Sequence, residues 1–275
     1  MSLRVVNVGE GEDGQAWAAA LSDPAWVEGS EVLKEDGDVI VRRARVLGRE
    51  VVVKRWGLTR LKRRVQAVFN ATPGCRHWRG AARVAGAGER TARVFAMARG
   101  SDDRGPCELL VMERLEGRSV LEHVARPTLG VRGQHELARC VGRHIARLAA
   151  KGVVNSDGKA SNLIVIEDGD TFQIGVIDCG AMGGMTDDEP ADSLGVLVVE
   201  MIGVGHPPRL ALAMRTVLSL IDAWGSPSVS RGAFRNDVWE GVRKFLRHHG
   251  DPTPKVDPLV RGGGRATPPP GDGVS

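Results

Sequence analysis

The sequence predicts an α+β protein, with strands gathered in its first part and helices in its second. Three observations carry that expectation. Short apolar segments in alternating pattern, broken by turn residues, run through much of residues 31–117, as half-buried strands do. From about Val120 apolar residues recur at three- and four-residue spacing, the period of a helix with one buried face. Strands first and helices later build two segregated lobes rather than a wound parallel sheet.

The elements follow in chain order. DGQAWAAALSDPAW, residues 13–26, predicts a short helix ending before Pro24, within a helical extension over residues 1–30. EVLKEDGDVIVRRARVLGREVVVKRW alternates apolar and polar residues between turns at DGD and LGRE. It predicts a small antiparallel sheet with Lys54 at the end of its VVVK strand. RLKRRVQAVF and CRHWRGAARVA predict basic helices. RVFAMAR and CELLVMERLEG add two strands around the polar turn GSDDRGP. LARCVGRHIARLAAKG is a helix stopped by Gly152, a C-cap signal. After it come the polar loop NSDGKASN, the strand LIVI, an EDGD turn and the strand FQIGVID. Leu194 to His249 reads as helical apart from PSVSRG, and the Gly- and Pro-rich end from Arg261 as disordered.

Bulk properties bound the function. No run of eighteen apolar residues occurs in the 275, so no membrane-spanning helix is expected. The start, MSLRVVNVGEGEDG, lacks the apolar core of a secretion signal. Cys75, Cys107, Cys140 and Cys179 are widely scattered and read as free thiols in a reducing cytoplasm. The net charge is only +4, yet Arg42 to Arg104 holds 17 Lys or Arg against 4 Asp or Glu. Such a basic stretch suits an anionic partner or a membrane surface; the alternative is a solvated face. The seven histidines show no metal-binding spacing and read as ordinary surface or core residues. The six tryptophans read as core packing rather than a base-stacking platform, and no nucleic-acid partner is expected.

The chemistry sits around NSDGKASN. Asn162 immediately precedes LIVI and Asp178 immediately follows FQIGVI. If those strands pair through EDGD, the open end of the hairpin brings Asn162 and Asp178 side by side. Two oxygen ligands presented together suit Mg²⁺, which takes its remaining ligands from water and phosphate. Asp157, just before the hairpin, reaches the same spot as a base without competing for the metal. Lys159 would neutralise charge on a transferred phosphate, and Lys54 would come from the distant sheet to the nucleotide phosphates. The alternative is a plain polar turn, since Asn, Ser, Asp, Gly and Lys are common there. Ser161 reads as bonding within its own turn, and Asp192 is a candidate anchor for the loop's backbone.

The order Lys54, Asp157, Asn162, Asp178 resembles the protein-kinase-like fold, with its strand lysine, H-R-D-x-x-x-x-N loop and D-F-G motif. The resemblance runs from about Glu31 to Met201. It implies a two-lobed fold with an antiparallel-sheet N-lobe over 31–117, a mainly helical C-lobe over 118–260 and a tail over 261–275. VMERLEG, Val111 to Gly117, falls where a hinge offers backbone groups to adenine, which points to Glu113 and Leu115. The resemblance implies ATP and Mg²⁺ as cofactors. Within that fold, GVVNSDGKASNLIV and GREVVVKRW look most like the lipopolysaccharide kinases (Kdo/heptose kinases), which phosphorylate core sugars. That likeness implies an anionic sugar or glycolipid acceptor, and peripheral contact with the cytosolic face of the inner membrane.

The departures from the pattern are specific. Asn155 and Ser156 replace the His and Arg of H-R-D, and Cys179 replaces the Phe of D-F-G. No glycine-rich loop exists near the first strand, where WVEGSEVLKEDGD is the sole candidate cover for phosphates. The helix glutamate that pairs with the strand lysine is missing, since Glu89 is the only Glu between Lys54 and Glu108. Three readings follow: a sugar or lipopolysaccharide kinase, a protein or small-molecule kinase, and a pseudokinase that binds nucleotide without turnover.

Overall fold

The computed structural model describes residues 2–169, 171–184 and 189–224. Its elements, in order, are β1 (Ser2–Val8), α1 (Gly14–Ser22), α2 (Ala25–Glu28), β2 (Glu31–Asp36), β3 (Val39–Val46) and β4 (Arg49–Gly57). Next come α3 (Leu61–Val68), α4 (Pro73–Gly86), β5 (Arg90–Thr91), β6 (Val94–Asp102) and β7 (Gly105–Glu113). The second half contributes β8 (Arg118–Ser119), α5 (Val120–Ala125), α6 (Val131–Ala150) and β9 (Val153–Asn155). It closes with β10 (Leu163–Asp168), β11 (Thr171–Val176), β12 (Met182–Gly184), α7 (Glu189–Gly203) and α8 (Leu210–Trp224).

Six strands form one sheet in the order β1-β6-β7-β4-β3-β2, and each of its pairings is antiparallel. The first strand was not expected. Residues 2–8 pair with β6, Ser2 opposite Ser101, so the N-terminal segment is not the purely helical extension that the sequence predicts. Helix α1 then covers the sheet's outer face. Its Trp17 and Leu21 are fully buried among Ala44, Val51, Val53 and Val111, and Trp17 stacks on Phe95 with ring centres 5.7 Å apart. Asp13 caps α1 by accepting from the Gln15 and Ala16 amides.

The second lobe is built on α6, whose buried face runs through Leu137, Val141, Ile145 and Leu148 and packs chiefly on α8. The helix ends as expected: Gly152, at φ +67°, takes the left-handed turn that ordinary residues resist. Hairpin β10–β11 pairs Leu163 with Val176 at its open end. It also takes β8 on one side and β5 on the other, so one small sheet joins the two lobes. A third cluster lies between them, with Trp56, Met97, Met112, Leu115 and Ile164 buried together.

The expected helix up to His249 is described only as far as Trp224; PSVSRG, the remainder and the tail lie outside the described residues, as does the side chain of Asp192. Among the described residues no helix is long and apolar enough to cross a membrane.

Candidate active site

Lys54 sits on β4, between β7 and β3, and is buried. Its ammonium donates to the Ile177 carbonyl at 3.1 Å and pairs with Asp178 Oδ2 at 3.1 Å. Asp178 stands two residues past the end of β11. The other carboxylate oxygen, Oδ1, accepts from the Gly180 amide at 3.1 Å and lies 3.4 Å from His77 Nδ1. Burial alone would raise the Asp178 pKa, but His77, Lys54 and the Gly180 amide together hold it far below the usual carboxylate range. Asp178 is therefore an anion across the physiological range.

His77 was expected to be an ordinary residue, and the structure corrects that. It lies on α4, only 2% exposed, with its ring directed at the Lys54–Asp178 pair. Burial pushes its pKa down and the Asp178 carboxylate pulls it part-way back. A helix residue thus does contact this pair, but it is a histidine acting on the aspartate rather than a glutamate on the lysine. Helical spacing was the available signal, because Gly74, His77, Ala81 and Val84 share the buried face of α4.

Glu89 has a different task from the missing glutamate. It accepts from His144 Nδ1 at 2.5 Å and from Nε and Nη2 on one edge of the Arg147 guanidinium, so it ties the end of α4 to α6.

The loop NSDGKASN is held at both ends. Asn155 Oδ1 accepts from the Asp157 amide at 3.1 Å, and the Asn155 carbonyl accepts from Ser193 Oγ at 3.4 Å. At the far end Glu200 on α7 accepts from the Ser161 amide at 2.9 Å and from Ser161 Oγ at 2.5 Å. Ser161 therefore bonds to a helix 39 residues on, not within its own turn. A lone carboxylate inside the apolar run LVVEMIG was the signal for Glu200.

Between these anchors the polar groups converge. Lys159 Nζ pairs with Asp157 Oδ1 at 2.7 Å. Asn162 Nδ2 donates to the Asp157 carbonyl at 3.2 Å, which leaves its amide oxygen as the free donor atom for a ligand. The Asn162 carbonyl accepts from the Ile177 amide at 3.1 Å, so Asn162 and Asp178 stand at neighbouring levels across the hairpin's mouth. Asp157, Lys159, Asn162, Asp178 and Lys54 are thus brought to one end of β10–β11.

The two expected hinge residues lie elsewhere along the cleft. Glu113 ends β7; its side chain pairs with Arg90 and accepts from the Arg93 amide, while its own amide donates to the Arg93 carbonyl. Leu115 is buried in the cluster between the lobes, against which Val39, Val52, Ile166 and Ile177 pack. The candidate phosphate cover becomes the β2–β3 hairpin, whose Gly37 turns at φ +56° and whose Asp38 carbonyl accepts from the Gly57 amide.

A two-lobed molecule with a sheet lysine, a polar loop and a hairpin-end aspartate in this order has the fold of the protein-kinase-like superfamily. The comparisons agree. The family model of the ABC1 atypical kinase-like domain matches residues 102–202. A solved structure described as WaaP in complex with acyl carrier protein is similar in fold, with a TM-score of 0.60 at 17% sequence identity. The match covers 90% of this chain and 98% of that one. No curated protein matches the chain.

Proposed function

We propose that this chain is an ATP-dependent kinase transferring the γ-phosphoryl group to a sugar hydroxyl, with a Kdo- or heptose-type lipopolysaccharide core sugar as acceptor. The observation that supports this is the meeting of Lys54 with the Ile177–Asp178 corner, 123 residues on in the chain, beside Asn162, Asp157 and Lys159. The sugar acceptor rests on the likeness of GVVNSDGKASNLIV to lipopolysaccharide kinases.

Each residue then has a task. Lys54 holds the nucleotide phosphates, exchanging its contact with Asp178 for them. Asn162 and Asp178 would hold Mg²⁺: both offer hard oxygen atoms. Among the described residues no cluster of three or more His, Cys, Asp or Glu could hold an ion alone, so the remaining ligands come from phosphate and water. When bound, Mg²⁺ neutralises charge on the phosphate oxygens. Asp157 accepts the hydrogen bond of the attacking hydroxyl and takes its proton late. Lys159, tethered to Asp157, steadies the oxygens between donor and acceptor. Glu113 and Leu115 offer backbone groups to adenine, with Val39, Val52 and Ile164 as apolar walls.

Thermal shift and turnover of Asp178→Asn test the reading. ATP should stabilise the parent more with Mg²⁺ than without, and the variant should lose both that increment and turnover. The parent should phosphorylate core oligosaccharide in preference to casein or an aminoglycoside. Phosphorylation of casein alone would make it a protein kinase. Mg·ATP binding with no turnover on any acceptor would make it a pseudokinase, whereas an Asp178→Asn variant that Mg·ATP stabilises like the parent would overturn the metal assignment.

A further inference from the structure

Helix α3 has its amphipathic character turned outward. A surface helix of a globular protein hides its apolar stripe against the core and shows its charges to water. Here none of the helix's residues is buried. Leu61 is 76% exposed, Val65 49%, Val68 78% and the capping Phe69 75%. Their spacing places all four within an arc of about 100° at 100° per residue. Lys62 borders that arc on one side and Arg64 on the other, while Arg63, Gln66 and Ala67 occupy the opposite face.

The inner side of the helix is fastened by polar contacts instead. The Ala67 carbonyl accepts from Arg99 Nη1 at 2.9 Å, and the Asn70 carbonyl, just past the helix, accepts from Arg79 Nη2 at 3.1 Å. Folding of the lobe therefore makes no use of the apolar stripe. The charge around it is one-sided, because the sequence from Val51 to Gly88 contains no Asp or Glu. Arg60, at the N-cap, pairs with Asp38 at 3.3 Å, while among the described residues Lys62, Arg63 and Arg64 have no acidic partner.

We infer that α3 is a membrane-docking helix that lies in the headgroup region of an anionic bilayer. Leu61, Val65, Val68 and Phe69 enter the acyl boundary, and Lys62 and Arg64, on its two borders, meet lipid phosphates. Apolar side chains framed by cations are what an interfacial helix requires, and a mainly basic surround favours an anionic leaflet over another protein's mixed surface. The inference goes beyond the proposed phosphoryl transfer, which needs no membrane, and supplies the surface on which a glycolipid acceptor would be met. One short helix gives weak, reversible binding, suited to an enzyme that leaves the surface between encounters.

Sedimentation of the full chain with vesicles of equal parts phosphatidylglycerol and phosphatidylethanolamine tests this, without ATP or acceptor, so the result is independent of kinase activity. The parent should bind these and not phosphatidylcholine vesicles, less at high salt. Val68→Ser/Phe69→Ser and Lys62→Gln/Arg64→Gln should each weaken binding by about tenfold or more, with unchanged melting temperature because no buried group is altered. Phe69→Trp should add emission that brominated acyl chains quench. Absence of vesicle binding by the parent would overturn the inference. So would undiminished binding by Val68→Ser/Phe69→Ser, which would make the contact purely electrostatic. A parent dimer that this variant converts to monomer, with no vesicle binding, would assign the stripe to a second copy of the chain.

Discussion

The Asp157–Lys159 ion pair sets the chemistry that the NSDGKASN loop can perform. Burial alone would lower the Lys159 pKa, yet the hydrogen bond and charge of Asp157 raise it, so the lysine stays a cation beside the reacting groups. Asp157 is held in place by that ion pair. It suits a reaction in which the hydroxyl proton leaves late and positioning does most of the work. Asp157→Asn keeps size and hydrogen-bonding shape while removing the acceptor charge. It should lower kcat by at least about a hundredfold, within the usual range for a general base, with ATP affinity nearly unchanged. Steady-state kinetics on the acceptor measure this, and an undiminished kcat would reduce the loop to a polar turn. The convergence of the loop residues was legible because it follows from their position beside two strands. His77 was not, because its role depends on where α4 packs, and the sequence shows only that it lies on the buried face.

Helix α4 links the sheet to the Asp178 corner through three contacts along its length. At its start, fully buried Glu108 accepts from Thr72 Oγ1, the Gly74 amide and Arg99 Nε, while Thr72 caps the helix by accepting from the Cys75 amide. In the middle, a Cβ on Gly80 would stand 1.9 Å from the Cys179 carbonyl oxygen. Near its end, Arg83 Nη1 donates to the Met182 carbonyl at 3.0 Å. Gly80 is therefore what lets the helix, and His77 with it, sit against the DCG turn. Gly80→Ala must move the backbone of one or the other, and overpacking of this kind costs about 1–3 kcal/mol. Both melting temperature and kcat should fall. Gly86→Ala in the same helix meets nothing within 4 Å and should instead gain up to about 1 kcal/mol from lower chain entropy. Equal effects of the two substitutions would refute the close-packing account. Strands β2, β3, β4, β6 and β7 were legible from local alternation and turn residues. β1 was not, because its partner β6 lies about a hundred residues away and its pairing shifts register between Val5 and Asn7. Nothing local marks such a segment as belonging to a sheet.

Among the described residues, two ionic contacts between the lobes differ in permanence. Lys54–Asp178 lies where nucleotide would enter and is the exchangeable one. Glu89 with His144 and Arg147 lies behind it, at the junction of α4 and α6, and no ligand in the proposed reaction competes for it. Burial would raise the Glu89 pKa, but hydrogen bonds from His144 and Arg147 and their charge outweigh it and hold the carboxyl below its ordinary value of 4.5. A carboxylate with a depressed folded pKa stabilises the protein fully above its unfolded value. That contribution is lost as pH falls from there through the folded value, because the unfolded chain takes up the proton first. Replacing Glu89 with Gln should cost about 1.5–3 kcal/mol near neutral pH, the range for hydrogen bonds to charged groups. The lower part of that range is expected, since Arg147 is half-exposed and screened by solvent. Urea unfolding of parent and Glu89→Gln from pH 7 downward measures the difference. It should stay constant to about pH 5 and narrow below 4.5. A gap that widened in acid would mean that Glu89 is protonated in the folded protein, and that the tie behind the cleft is not ionic.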